Sequence, residues 1–203
     1  VVAEIEIVCI GNELLIGKVV NTNASWIGRR CTSLGVKVNR ITVVSDNVKE
    51  IAILLQEALA RKPKFIILTG GLGPTFDDKT LEGITEALRR KMLVDQKALE
   101  MVKTKYDEYA KSMNATSEMT ASRLKMATLP EGGEAISNPV GTAPGVILRI
   151  EGTTLVALPG VPREMEAIFE EYIVSLLRKV SEDVNFYELS IYANNIMESV
   201  LAP

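Results

Sequence analysis

The spacing of apolar residues along this chain alternates between the period of strands and the longer period of amphipathic helices. "EIEIVCI" at 4–10 predicts a strand, and "VKVNRITVV" at 36–44, rich in β-branched residues, predicts a second. Between them a loop passes through Gly11 and Gly17, and "TNASWIGRRCTSLG" from Thr22 predicts a helix closing at Gly35. Asn47 with Glu50 three residues on is a capping-box signature, after which Ile51, Leu54, Leu55, Ala58 and Leu59 form one buried stripe. "KFIILT" at 64–69 is short and almost wholly apolar, as expected of a strand covered on both faces.

Helices are predicted next over 79–91, over 95–113 with Leu99, Val102, Tyr106, Tyr109 and Met113 at helical spacing, and over 117–127. The last of these turns Met119, Leu124 and Ala127 inward, with Met119 and Met126 read as core filling. "NPVGTAPG" at 138–145 is a loop, and 146–158 reads as a strand pair turning at Glu151 and Gly152. Pro162 then opens a helix from Arg163 to Val180, with Met165, Ile168, Phe169, Tyr172, Ile173, Leu176 and Leu177 on one face. Strands and helices in this alternation predict a right-handed α/β fold with a mostly parallel sheet. Residues 1–180 form one domain in this reading, and 181–203 add a strand before a truncated or disordered C-terminal segment.

Composition narrows the chemistry. The 203 residues are 47% hydrophobic and 24% charged, with a net charge of −3 and no dense basic tract, which excludes nonspecific nucleic-acid binding. No uncharged apolar run approaches the roughly 20 residues needed to span a bilayer. Glu4 and Glu6 interrupt the first apolar stretch, so it is not a secretion signal and no membrane partner is expected. Cys9 and Cys31 read as buried free thiols of a reducing, cytoplasmic compartment. Histidine is absent, which removes the usual general base, the usual zinc ligand and the His-activated nucleophiles. What remains is carboxylates, hydroxyls, backbone amides, Lys or Arg, and any hard cation they hold.

The segment "TGGLGPTFDDKT" at 69–80 concentrates those groups directly after a strand. Gly70, Gly71 and Gly73 allow amides to converge on an anion, with Thr75 and Thr80 to position it. Asp78 precedes Lys79 and Thr80 where a phosphate-binding P-loop needs glycine, and the dinucleotide spacing is also missing. One of Asp77 and Asp78 could cap the following helix. Two carboxylates roughly 4 Å apart repel by about 4 kcal/mol at an effective dielectric near 20, and a Mg²⁺ or other divalent cation turns that cost into attraction. Asp77 and Asp78 are therefore the candidate metal ligands.

Other loops at strand ends offer Glu13, Asn21 and Asn23; Asp46; Asn138, Gly141 and Thr142; and Gly160 with Glu164. Helix capping is the alternative for Asp46, and turn chemistry for the glycines and prolines. Asp78, Asp77, Asp46 and Glu13 are the candidate catalytic acids, and the asparagines, threonines and glycines are the candidate phosphate-binding groups.

"GNELLIGKVVNTN", "TGGLGPTFDDKT", "NPVGTAPG" and "LPGVPREM" together resemble the amino-terminal domain of the competence/damage-inducible CinA family, a domain similar to the MoaB/MogA molybdopterin-binding fold. The likeness runs from about Glu6 to Val180 with the motifs in family order. It implies a three-layer α/β/α sandwich and a homo-oligomer. For the CinA type it implies a metal-dependent pyrophosphatase converting ADP-ribose to AMP and ribose 5-phosphate. For the molybdopterin type it implies binding of a pterin phosphate, in some members with Mg-ATP-dependent adenylylation. The family's acid of the glycine loop falls on Asp78, and the acid after the second strand on Asp46. "GGLGPTFDD" departs from the "GGTG…RD" loop of the molybdopterin enzymes and favours the CinA type. Three functions stay open: a nucleotide diphosphate hydrolase, a molybdopterin adenylyltransferase, and a non-enzymatic nucleotide- or pterin-binding module.

Overall fold

The computed structural model describes residues 3–113, 117–181 and position 194. In chain order the strands are β1 (Glu4–Ile10), β2 (Lys37–Val44), β3 (Phe65–Thr69), β4 (Met92–Val94), β5 (Thr128–Pro130), β6 (Glu134–Ile136), β7 (Gly145–Ile150) and β8 (Thr153–Leu158). The helices are α1 (Asn12–Leu15), α2 (Thr22–Ser33), α3 (Val48–Ala60), α4 (Thr80–Leu88), α5 (Gln96–Met113), α6 (Ala121–Met126), α7 (Pro162–Ile168) and α8 (Val174–Arg178). A π-helical turn over Phe169–Ile173 joins the last two, where the sequence predicts one unbroken α-helix. The strand predicted within 181–203 lies outside the described residues.

Six strands form one sheet in the order β2-β1-β3-β8-β7-β6. β1 pairs in parallel with β2 and β3, and β3 in parallel with β8. β7 runs antiparallel to both of its neighbours, β8 and β6. The sheet is mostly parallel, as its apolar strands predict. β4 and β5 pair separately as a small antiparallel ribbon. β4, β5 and β6 are absent from the sequence reading because three residues are too few to display a period.

Side chains alternate across the sheet into two cores. Ile5, Ile7, Cys9, Phe65, Ile67, Val156 and Leu158 face α2 and α7–α8, meeting Ala24, Ile27, Cys31, Met165, Ile168 and Phe169. Val8, Ile10, Ile66, Leu68, Leu155 and Ala157 face α3, α4 and α5, meeting Ile51, Leu55, Ile84 and Val102. The result is three layers, helix–sheet–helix. Each fully buried Ile or Leu contributes about 2–3 kcal/mol to holding the layers together. Trp26 packs edge-on against Phe169 with ring centroids 5.3 Å apart.

Local details correct the expectations in three places. The loop through Gly11 and Gly17 contains the short helix α1. Asn47 caps α3 by accepting from the amides of Lys49 at 2.9 Å and Glu50 at 3.3 Å, but the Glu50 carboxylate takes the Ser45 hydroxyl instead of closing the box. Helix α6 starts at Ala121, capped by Thr120, so Met119 precedes it. Met119 and Leu124 are 38% and 37% exposed, and the buried residues there are Met126 and Ala127. Among the described residues, no helix is long and apolar enough to cross a membrane.

Candidate functional site

A cleft of about 450 Å³ opens at the carboxyl ends of β1, β3 and β8. Chain leaving β1 turns toward β2, whereas β3 leads on toward β8, so the cleft lies at the switch point where open α/β sheets bind ligands. Its floor is glycine backbone from the 70–73 and 159–162 loops, and Asn21, Asn23, Thr142 and Ala143 close its sides. Glu13, Asp46, Asp77, Asp78 and Glu164 line it, five carboxylates without one Lys or Arg among the lining residues.

The glycine loop is shaped by close approaches. Gly70 has φ +107°, and a Cβ there would lie 2.2 Å from the Ile10 carbonyl oxygen. Its amide donates to the Leu158 carbonyl at 3.1 Å, so Gly70 shapes the loop and offers no N–H to an anion. Gly71, at φ +64°, brings its backbone against Thr80, whose hydroxyl donates to the Gly70 carbonyl at 2.7 Å. Among the described residues, no partner within the chain claims the amides of Gly71, Leu72 and Gly73. Leu72 anchors the loop by burying its side chain in the core.

Asp77 and Asp78 take different positions. Asp78 is half-buried and accepts from the Thr75 amide at 2.8 Å and from the Thr75 hydroxyl. Asp77 is exposed. Neither caps α4, whose N-cap is Lys79 without a side-chain bond. Asp46 accepts from the Asn12 amide at 2.8 Å. Burial pushes the Asp46 carboxyl above its ordinary value; the Asn12 amide opposes this, and the charges of Glu13, Asp77 and Asp78 add to it. The acids of the rim therefore act on one another across the cleft.

Asn23 departs from its expected role as a phosphate positioner. Its Nδ2 donates to Thr69 Oγ1 at 2.9 Å and to the Gly160 carbonyl at 2.9 Å, using both amide hydrogens. Reversing the amide would set its oxygen against the Gly160 carbonyl, so the assignment is fixed. Its Oδ1 is left buried and unpartnered, an acceptor suited to a hydroxyl or N–H and unsuited to a phosphate oxygen. Asn21 caps α2 through the Ala24 amide at 3.0 Å.

Four other candidates serve the scaffold. Asn138 spends its side chain on the Ala143 carbonyl, Glu164 and the amides of Val140 and Gly141. Gly141 is where a Cβ would meet the Glu164 carboxylate at 2.1 Å. Thr80 is fully buried, and Thr75 turns its hydroxyl onto Asp78. None of these four lines the cleft, while Thr142 and Gly160 do. Sequence reasoning missed the apolar mouth made by Val19, Val20 and Val161, which stay 50%, 80% and 53% exposed. The adjacent valines of "KVVN" at 18–21 were the available signal.

The donor set is one of hard oxygens. Cys9 lines the floor, but burial raises its thiol, and burial pushes Cys31 up to about 12, so neither supplies a thiolate. Among the described residues, no group of three or more metal-ligating side chains is assembled. Any divalent ion held here would need ligand oxygens beside one or two of these carboxylates, as Mg²⁺ commonly does.

Residues 6–179 match the family described as a probable molybdopterin binding domain. A protein of Metallosphaera sedula is 46% identical over 198 residues, covering 98% of this chain and 72% of its own length. The crystal structure of CinA from Thermoplasma acidophilum, a protein of unknown function, is 40% identical with a TM-score of 0.77 over 85% of this chain and 98% of that one. The molybdopterin biosynthesis enzyme MoaB of Thermus thermophilus shares the fold at 17% identity, with a TM-score of 0.55 over 87% of this chain and 97% of that one.

Proposed function

From the premise that this chain belongs to the molybdopterin-binding domain family, with CinA and MoaB among its structural relatives, we propose that its cleft binds a phosphorylated heterocyclic small molecule through a divalent cation. The observation that carries this reading is a glycine-floored cleft lined by five carboxylates and no basic side chain. A phosphate entering such a cleft meets amides on one side and negative charge on the other. Only an added cation satisfies both.

Asp78 and Asp77 would hold the ion, with Asp46 as a further ligand or water-orienting base and Glu13 beside it. A bound divalent cation polarises a phosphoryl oxygen and acidifies a water. The amides of Gly71, Leu72 and Gly73 receive phosphate oxygens, adding preorganised dipoles where charge develops. Asp46, steadied by the Asn12 amide, is placed to accept a proton from water. The Asn23 acceptor takes a donor from the sugar or the heterocycle. In the hydrolytic form of this reading the ligand is a nucleotide diphosphate, most simply ADP-ribose, cleaved to AMP and ribose 5-phosphate.

The family membership favours a second ligand, a pterin phosphate, with Mg-ATP-dependent adenylylation as its reaction. One set of incubations separates the two. The protein is mixed with ADP-ribose and Mg²⁺, Mn²⁺ or Co²⁺ while AMP is followed chromatographically, and in parallel with pterin phosphate and Mg-ATP while ATP is followed. AMP release supports the hydrolase, and pterin-dependent ATP consumption supports the adenylyltransferase. Calorimetric binding without turnover leaves a binding module. Failure of every ligand to bind with every cation defeats the proposal.

A further inference from the structure

The turn that carries the acid pair has little packed behind it. A second cavity of about 240 Å³ lies on its far flank, bounded by Gly71, Gly73 and Asp78 on one side and by Leu81, Met92 and Thr128 on the other. Residues 74–79 belong to no helix or strand, and Phe76 at the tip is 87% exposed. A turn outside regular structure, with an exposed tip and a cavity at its flank, has few contacts of its own to fix it.

Lys125, in the last turn of α6, spans this gap. Its Nζ donates to the Thr75 carbonyl at 2.5 Å and to the Asp78 carbonyl at 2.6 Å. Those two carbonyls bracket Phe76 and Asp77, so the ammonium ties the two ends of the turn together. Asp78 ties the same ends by accepting the Thr75 amide. Among the described residues, no salt bridge joins Lys125 to Asp77 or Asp78. Its hydrogen bonds go to the peptide oxygens and to neither carboxylate.

We propose that Lys125 is a positioning residue for the ligand cleft: it fixes the 75–78 turn so that both aspartates are held ready for a cation. This rests on the cation reading given under the proposed function. The proposal has an unusual consequence, because charge and geometry call for opposite outcomes. If Lys125 were only a nearby positive charge, deleting it would tighten cation binding. If it is the clamp, deleting it loosens the turn and weakens binding.

The test compares Lys125→Met, which keeps an apolar stem beside Leu81 and Met92, with Lys125→Arg, which keeps donors and charge. Mn²⁺ affinity is measured by titration calorimetry, and amide hydrogen exchange is followed across 73–79. Lys125→Met is expected to bind Mn²⁺ about tenfold more weakly. Exchange should speed up in 73–79 but stay unchanged in β3, with Lys125→Arg recovering most of both losses. Equal or tighter Mn²⁺ binding by a folded Lys125→Met chain, or unchanged exchange in the turn, overturns the clamp alone. A wild-type chain that binds no divalent cation overturns the cation reading, and the clamp's role in the cleft with it.

Discussion

The two ends of the parallel strands treat acidic residues in opposite ways. At the amino ends, carboxylates have basic partners. Glu6 is 3% exposed and receives Arg61 Nε and Nη2, each at 2.7 Å. Glu4, at the start of β1, pairs with Lys37 at 3.0 Å. At the carboxyl ends, Glu13, Asp46, Asp77 and Asp78 gather around a cleft with no basic side chain lining it. Of these, only Glu6 is buried, and Arg61 keeps its desolvated charge from standing uncompensated, whereas the exposed Glu4 pair adds little. At the second end, burial chiefly holds the Asp46 carboxyl above its ordinary value and the neighbouring acids add to it, whereas the Thr75 hydroxyl, backbone bonding and the Lys125 charge hold Asp77 below its own. A perturbed carboxylate in a cleft is a functional-site candidate.

Breaking each end in turn should give different phenotypes. The largest effect is expected from Asp78→Asn at the upper end. Asparagine keeps an oxygen for the Thr75 amide, so the turn survives while one unit of ligating charge is lost. Cation-dependent ligand binding or turnover should fall by about 100-fold, with the thermal midpoint nearly unchanged. Retention of activity within a few-fold would remove Asp78 from the site. Arg61→Ala at the lower end should do the reverse. It strands the Glu6 carboxylate in the core, at a cost of about 3 kcal/mol after allowing for water reaching the vacated space. In a domain of this size the midpoint should drop by roughly 6–12 °C, with cation affinity unaffected. A denaturation series on the purified variant checks the first quantity, and calorimetry with Mn²⁺ the second.

How much of this was legible depended on the distance in sequence between partners. The apolar patterns of β1, β3 and β8 announce strands because they can be read within a few adjacent residues. The cap at Asn47 is equally local. Glu6 gives no sign of burial, since its arginine lies at position 61 and the pair closes only when β1 and the end of α3 meet. Asp77 and Asp78 are conspicuous as a pair, yet which turns inward depends on Thr75 folding back on Asp78. Lys125 reads as an ordinary polar residue of a helix, because the carbonyls it binds belong to a loop far earlier in the chain. Asn23 stands out in the sequence as a candidate, but its orientation is dictated by Thr69 and Gly160. Local signals specify elements; the roles of polar side chains are settled by tertiary partners.

A smaller effect sharpens the contrast further. The Asp46 carboxyl titrates above its ordinary 3.8, with burial as the main cause and the neighbouring acids contributing. In the folded chain it therefore keeps its proton after the unfolded chain has released one. Stability is then greatest below the unfolded value and declines as pH rises through the folded value, beyond which the deficit is constant. Asp46→Asn removes the titration and retains an oxygen for the Asn12 amide. In metal-free buffer at pH 7 the variant should melt about 2 °C higher than wild type, and this advantage should vanish in acid. Added Mn²⁺ should narrow the gap by stabilising the wild-type chain more, since an ion bound to the folded state raises stability through mass action. Equal midpoints at pH 7 without metal would mean that neither burial nor the neighbouring acids makes the Asp46 charge costly. The crowding of acids at the cleft would then cease to argue for a ligand.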